Sequence, residues 1–212
     1  MPTPQAERSR KMRARILSAA INLLREKGYS AFRVADVADS AGISRGAQLH
    51  HFPTKDQLVA ACLQQVFSAS LERATIAAGK AIDDDGLLQA ASKDGEAFFY
   101  GQDFLIALDL VIAGNKLRPL ADDVRGISRQ RRVGAEQVWV SRFVETGLSA
   151  SDAEDILWLL WSVIRGLAVR AQIEQDPERA KRVTELTISL LTDYAQQLRN
   201  RKEGNGGPSV SG

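Results

Sequence analysis

The chain has 212 residues, 44% of them hydrophobic and 25% charged, with 28 Lys/Arg against 26 Asp/Glu. This ordinary globular composition excludes a disordered or fibrous chain and allows a real core in one or two domains. One cysteine, Cys62, excludes an internal disulfide and suits a reducing compartment; with no long apolar run and no hydrophobic leader core, a soluble cytoplasmic protein without a membrane span is expected. The first 60 residues hold ten Lys/Arg against five Asp/Glu, and the remainder eighteen against twenty-one, which places any polyanion contact in the first third.

In chain order, residues 1–7, with Pro2 and Pro4, are expected to be disordered. Arg8, Arg10, Lys11, Arg13 and Arg15 follow within eight residues. A solvated helix start explains some of them, but five like charges favour a DNA-backbone or minor-groove arm. The first helix continues to Lys27, with Met12, Ile16, Ala20, Leu23 and Leu24 on one side, and Gly28 stops it. Val34, Val37, Ala38 and Ala41 then repeat at helical spacing. Gly42 is placed for a left-handed helix stop, Ile43 for a buried turn residue and Ser44 for the N-cap of a second helix to His51. Helix, glycine turn and polar-faced helix form a helix-turn-helix, whose second helix suits the major groove of DNA. In isolation the pattern equally fits an ordinary helical protein; the basic segment before it and Pro53-Thr54-Lys55 after it favour DNA.

Within this unit Arg33 opposes the helix dipole and is read as a phosphate ligand, with a solvated surface arginine as the alternative. Gln48 shares a helix face with Phe52, so it points toward the core and needs a partner for its amide. Leu49 points outward and can meet a thymine methyl. Thr54 and Gln57 make a capping box for a helix that begins at Lys55 and runs to about Gly79. Its two apolar stripes, Leu58/Cys62/Val66 and Leu63/Phe67/Leu71, make it a mechanical link between two domains.

Residues 83–86 read as a solvated turn rather than a metal site. Helical segments are expected at 87–100, 103–115, 119–147, 150–173 and 176–202, with Pro119 and Pro177 in first turns and Ser149 or Ser151 and Asp176 as caps. Gly204–Gly212 is expected to be disordered. No segment alternates as a half-buried strand does, so the fold is all-α. The central aromatics, Phe98, Phe99, Tyr100, Phe104, Trp139, Phe143, Trp158 and Trp161, are core by default, and Arg165 is placed to meet an anion or Asp109. Late in the chain Ile156/Leu160/Val163/Leu167 and Leu157/Trp161/Ile164/Ala168 adjoin, and Val183, Leu186, Leu190, Tyr194 and Leu198 line the last helix. A monomer covers one stripe and the other calls for a partner, unless both are internal. His50 and His51 diverge by about 100° and cannot share a metal, and no nucleophile elbow or phosphate-binding loop is present. Neither an enzyme nor a bound cofactor or metal is expected.

Ala19-Ala20, Leu23, Gly28-Tyr29, Val34, Asp36-Val37-Ala38, Ala41-Gly42-Ile43-Ser44, Gly46, His51-Phe52, Lys55 and Leu58 together resemble the N-terminal domain of the tetracycline-repressor (TetR) family of bacterial transcription regulators. The rest of the chain is similar to that family in length and helical character. The resemblance implies a helix-turn-helix domain over 8–53, an effector-binding and dimerisation domain over 54–202 and a tail over 203–212. It implies a homodimer on a palindromic operator in double-stranded DNA, typically a repressor released by a small-molecule effector. The DNA contacts implied are Arg33, Ser44, Arg45, Gly46, Gln48, Leu49, His50, His51 and Lys55. The effector pocket would draw on Phe67, Phe104, Leu108, Trp139, Phe143, Trp161 and Arg165. A four-helix bundle across a two-fold axis would use Ile156, Leu160, Val163, Leu167, Leu186, Leu190 and Tyr194. The chain departs from the family at Gln48 and Leu49, where an inward aliphatic residue and an outward tyrosine are usual, and at Phe32-Arg33, where a Thr or Ser cap is common.

Overall fold

A computed structural model describes residues 3–81, 84–116 and 118–205, and among these it contains nine helices and no strand. Met1, Pro2, Leu117 and residues 206–212 lie outside the described residues; of the tail expected over 203–212, residues 203–205 instead continue the last helix.

Helix α1 (Pro4–Ala31) begins earlier than expected. Thr3 Oγ1 accepts from Ala6 N at 3.3 Å and Pro4 occupies the first helical position, so residues 4–7 are helix rather than disorder. Gly28 interrupts the helix as expected, at φ 67° and ψ 173°, and a short helical turn follows to Ala31. Helices α2 (Val34–Ala41), α3 (Arg45–His51) and α4 (Lys55–Lys80) follow. Helix α5 (Asp84–Phe99) starts inside the stretch expected to turn; Ile82 and Asp83 lie outside the described residues. Helices α6 (Gln102–Lys116), α7 (Arg118–Glu145), α8 (Ala150–Arg170) and α9 (Pro177–Asn205) complete the chain. Ser149 rather than Ser151 caps α8, accepting from Asp152 N at 3.1 Å, and Asp176 caps α9, accepting from Arg179 N at 2.9 Å.

The chain forms two compact units, Met1–Ala69 with Gln102–Arg132, and Ser70–Gly101 with Val133–Gly212. In the first unit α6 packs on α1: Asp103 pairs with Arg25 at 2.6 Å, and Asp109 Oδ2 accepts the Tyr29 N–H at 2.6 Å. Its core includes Ile16, Ala20, Leu24, Val37, Ala38, Phe52, Leu58 and Cys62. Burial holds the Cys62 thiol in its neutral form by pushing its pKa up to about 12.

In the second unit α5, α8 and α9 pack together around Leu157, Leu160, Trp161 and Ile164. The Trp161 indole N–H donates to Ala91 O at 2.9 Å, and the indole lies so close to Gly95 that a Cβ there would sit 2.8 Å from it. Trp139, wholly buried, donates to Asp94 Oδ2 at 2.9 Å. A buried indole needs such a partner, and these two each find one inside this unit.

Candidate nucleic-acid interface

The turn between α2 and α3 is built as its residue types require. Gly42 adopts φ 60°, ψ 45°, and its N–H bonds to Ala38 O and Asp39 O. Ile43 N donates to Ala38 O at 3.1 Å, closing the glycine stop, although its side chain is half-buried rather than buried. Ser44 Oγ accepts from Ala47 N at 3.1 Å and starts α3. On α3, Arg45, Gly46, Leu49 and His50 are exposed, His51 is half-buried, and Gln48 is wholly buried. Arg45, Leu49 and His50 are thus open to solvent on one side of α3.

Gln48 is not. The family resemblance places it among the DNA contacts, but at 0% exposure it faces inward, as its spacing from Phe52 also demands. Its Nε2 donates to Phe52 O at 3.2 Å, and Oε1 has no partner among the described residues. The amide thus tethers the C-terminal end of α3 at the cost of one unsatisfied acceptor. Arg13 lies 4.4 Å from the Phe52 ring centroid, and Arg15 Nη2 donates to Gly42 O at 3.5 Å. Two members of the expected basic arm therefore brace the reading unit. Lys11 pairs with Glu7 at 3.1 Å, and Arg8 and Arg10 project from exposed turns of α1.

Arg33 is exposed at the N-terminus of α2 and makes no capping bond. Beside it, Lys27 bonds Asp36 Oδ2 at 2.7 Å and thereby lowers the Asp36 pKa. Lys55 is half-buried. Its ammonium donates to Phe32 O at 2.9 Å and Tyr29 O at 3.4 Å and lies 4.2 Å from the Tyr29 ring centroid. Desolvation lowers its pKa, while Asp56 acts in the opposite sense. Tyr29 is thus held on both sides of its backbone, by Asp109 from α6 and by Lys55 from α4. Nothing in the sequence signals this clamp, because its partners stand 80 and 26 residues away.

The seven candidate effector residues do not gather in either unit. Phe67, Phe104 and Leu108 belong to the first, the first two buried and Leu108 half-buried. Trp139, Phe143 and Trp161 are core of the second. Phe143 borders a void of about 20 Å³, too small for an organic ligand. Arg165 is exposed, with its guanidinium 5.0 Å from the Phe99 ring centroid; Asp109, offered as its partner, instead accepts from Tyr29.

Of the expected dimer contacts, Ile156 and Leu160 are buried inside the second unit, because α5 covers that side of α8. Val163 and Leu167 are half-buried, and Leu186, Leu190 and Tyr194 are exposed. Trp158, expected in the core with the other central aromatics, is instead 64% exposed on α8, and Leu159 beside it is 54% exposed. Among the described residues no cluster of His, Cys, Asp or Glu could hold a metal, and no helix is long and apolar enough to cross a membrane.

Residues 16–62 match the family described as bacterial regulatory proteins, tetR family. Over 193 residues the chain is 40% identical to the HTH-type transcriptional regulator CymR of Pseudomonas putida, covering 91% of this chain and 95% of that one. Among solved structures it is similar to a TetR-family regulator from Mesorhizobium loti, with TM-score 0.69 and 17% identity over 88% of this chain and 98% of that one. It also resembles the multidrug binding protein EbrR complexed with ethidium, with TM-score 0.59 and 22% identity over 83% of this chain and 98% of that one.

Proposed function

Because the chain belongs to the TetR family of DNA-binding transcriptional regulators, we propose that it represses transcription as a cytoplasmic homodimer on a palindromic operator and releases it on binding a small-molecule effector. The observation that carries this reading is the outward face of α3, where Arg45, Leu49 and His50 are free of the core while Gln48 holds the helix from behind. Arg45, Leu49, His50 and His51 act on base edges; Arg33, Lys55 and the N-terminal amides around Ser44, Arg45 and Gly46 act on phosphates. Chemistry on a substrate has no part in this reading.

Dimerisation uses the outward stripe of α8 and α9. Trp158, Leu159, Leu186, Leu190 and Tyr194 form an exposed apolar set that a monomer leaves in water. Paired recognition helices then lie about 34–36 Å apart, or a multiple of that, to meet successive major grooves. Effector sensing is supported by the family and by the similar fold of EbrR, which was solved with ethidium. An effector lowers operator affinity by its differential affinity for the two states, about 1.4 kcal/mol for a tenfold loss. Sedimentation together with a mobility-shift assay tests the reading. The wild-type chain is expected to be a dimer that retards inverted-repeat DNA, and Leu190→Glu a folded monomer that does not. A wild-type monomer with full operator affinity would overturn it.

A further inference from the structure

Helices α5 and α9 of the second unit leave a trough between them. Its main chamber measures about 700 Å³, within the range of small-molecule sites. Chambers of about 420 and 360 Å³ share lining residues with it at either end, Tyr100, Pro177 and Ala180 on one side and Gln89, Glu185 and Ile188 on the other. From Pro177 to Asp193 the trough follows α9 for about 25 Å at the helical rise.

Ala97, Pro177, Ala180 and Ile188 give the main chamber apolar walls. Ser92 and Thr184 also line it, 2% and 7% exposed. Each carries a hydroxyl that can both donate and accept, so the pair gives the chamber a polar spot between its apolar walls. Lys93 and Lys181 are balanced by Glu96 and Glu185, Lys181 lying 4.0 Å from Glu185, so the chamber selects for neither a cation nor an anion.

We infer that the α5/α9 trough binds an uncharged amphiphilic small molecule, its apolar body on Ala97, Ala180 and Ile188 and its hydrogen-bonding group at Ser92 and Thr184. The trough is not the self-association stripe. Thr184 and Leu186, like Ile188 and Leu190, stand two residues apart and so point about 160° away from each other round α9. The tests of the two surfaces therefore separate, and neither DNA nor an effector enters the measurement.

The full chain is titrated with Nile red, an uncharged aromatic amphiphile that carries a carbonyl. One saturable site per chain with blue-shifted emission is expected. Thr184→Val, which removes the hydroxyl and keeps the shape, weakens it about tenfold. Ala97→Trp, on the exposed rim, abolishes it with the helical circular dichroism and unfolding midpoint unchanged, and Leu190→Glu leaves it intact. Dye affinity that is indifferent to both trough variants overturns the inference. So does loss of the site in Leu190→Glu, or conversion of a dimer to a monomer by Ala97→Trp, which would make the trough an interface between copies.

Discussion

Replacing Lys55 by Met keeps the side-chain stem and removes the ammonium. In the structure that ammonium donates to Phe32 O at 2.9 Å and stands 4.2 Å from the Tyr29 ring centroid. A hydrogen bond from a charged donor contributes about 1.5–3 kcal/mol, and an exposed cation–π contact about 0.5–1 kcal/mol. The group is half-buried, so water replaces part of both, and relief of Lys55 desolvation offsets more. The net loss is about 1–2 kcal/mol, which in a chain of this length lowers the melting midpoint by roughly 2–8 °C. Circular dichroism at the helical band measures the midpoint, and DNA binding across a salt series measures the charge contact. One lost phosphate contact lowers the slope of log affinity against log salt by about 0.9. Lys55→Met is expected to lower both quantities, whereas Arg33→Met, at an exposed side chain without a cap bond, lowers the slope alone. A Lys55→Met protein with an unchanged midpoint and a reduced slope would refute the clamp and leave Lys55 a DNA ligand only.

Asp36 has its pKa lowered by the Lys27 hydrogen bond, so the stability this bond contributes is complete above the ordinary carboxylate value of 3.8 and is lost as pH falls through the lowered one; Asp36→Asn should flatten the acid limb of a stability profile in that window. Cys62, buried and with its pKa at about 12, should react with a thiol reagent at neutral pH at the rate of unfolding, and prompt labelling of the native chain would contradict its burial. Gly95→Ala improves helix propensity yet places a Cβ 2.8 Å from the Trp161 indole, so chemical denaturation should show net destabilisation of about 1 kcal/mol. Trp158→Glu should dissociate the dimer while leaving the melting of the second unit's core intact, because Trp158 is 64% exposed; unchanged mass in sedimentation would exclude α8 from the interface.

The reading unit was legible because its signals are local. Gly42 in a left-handed turn, Ser44 as a cap and the four-residue spacing of Gln48 and Phe52 all concern neighbours within one or two turns. The same period shows Gln48 pointing inward; carrying it over as a DNA contact set family habit against helix geometry, and burial decides for geometry. Non-local choices were not legible. The bond from Asp109 to Tyr29, 80 residues apart, draws α6 into the first unit, and neither residue carries a local mark of it. Helix α8 carries apolar residues around much of its circumference, so periodicity could not say which stripe α5 covers. Packing puts Ile156 and Leu160 inside and leaves Trp158 and Leu159 in water.

Selection from a random pool of duplex DNA bears most directly on the claim that α3 reads sequence. The wild-type chain is expected to enrich an inverted repeat whose half-sites are spaced by a whole number of helical turns, and Arg45→Ala to relax one symmetric base pair in each half-site at a cost of about 1–3 kcal/mol per contact. A pool that emerges without a repeat, and binding that follows salt alone and is equal for wild type and Arg45→Ala, would contradict it.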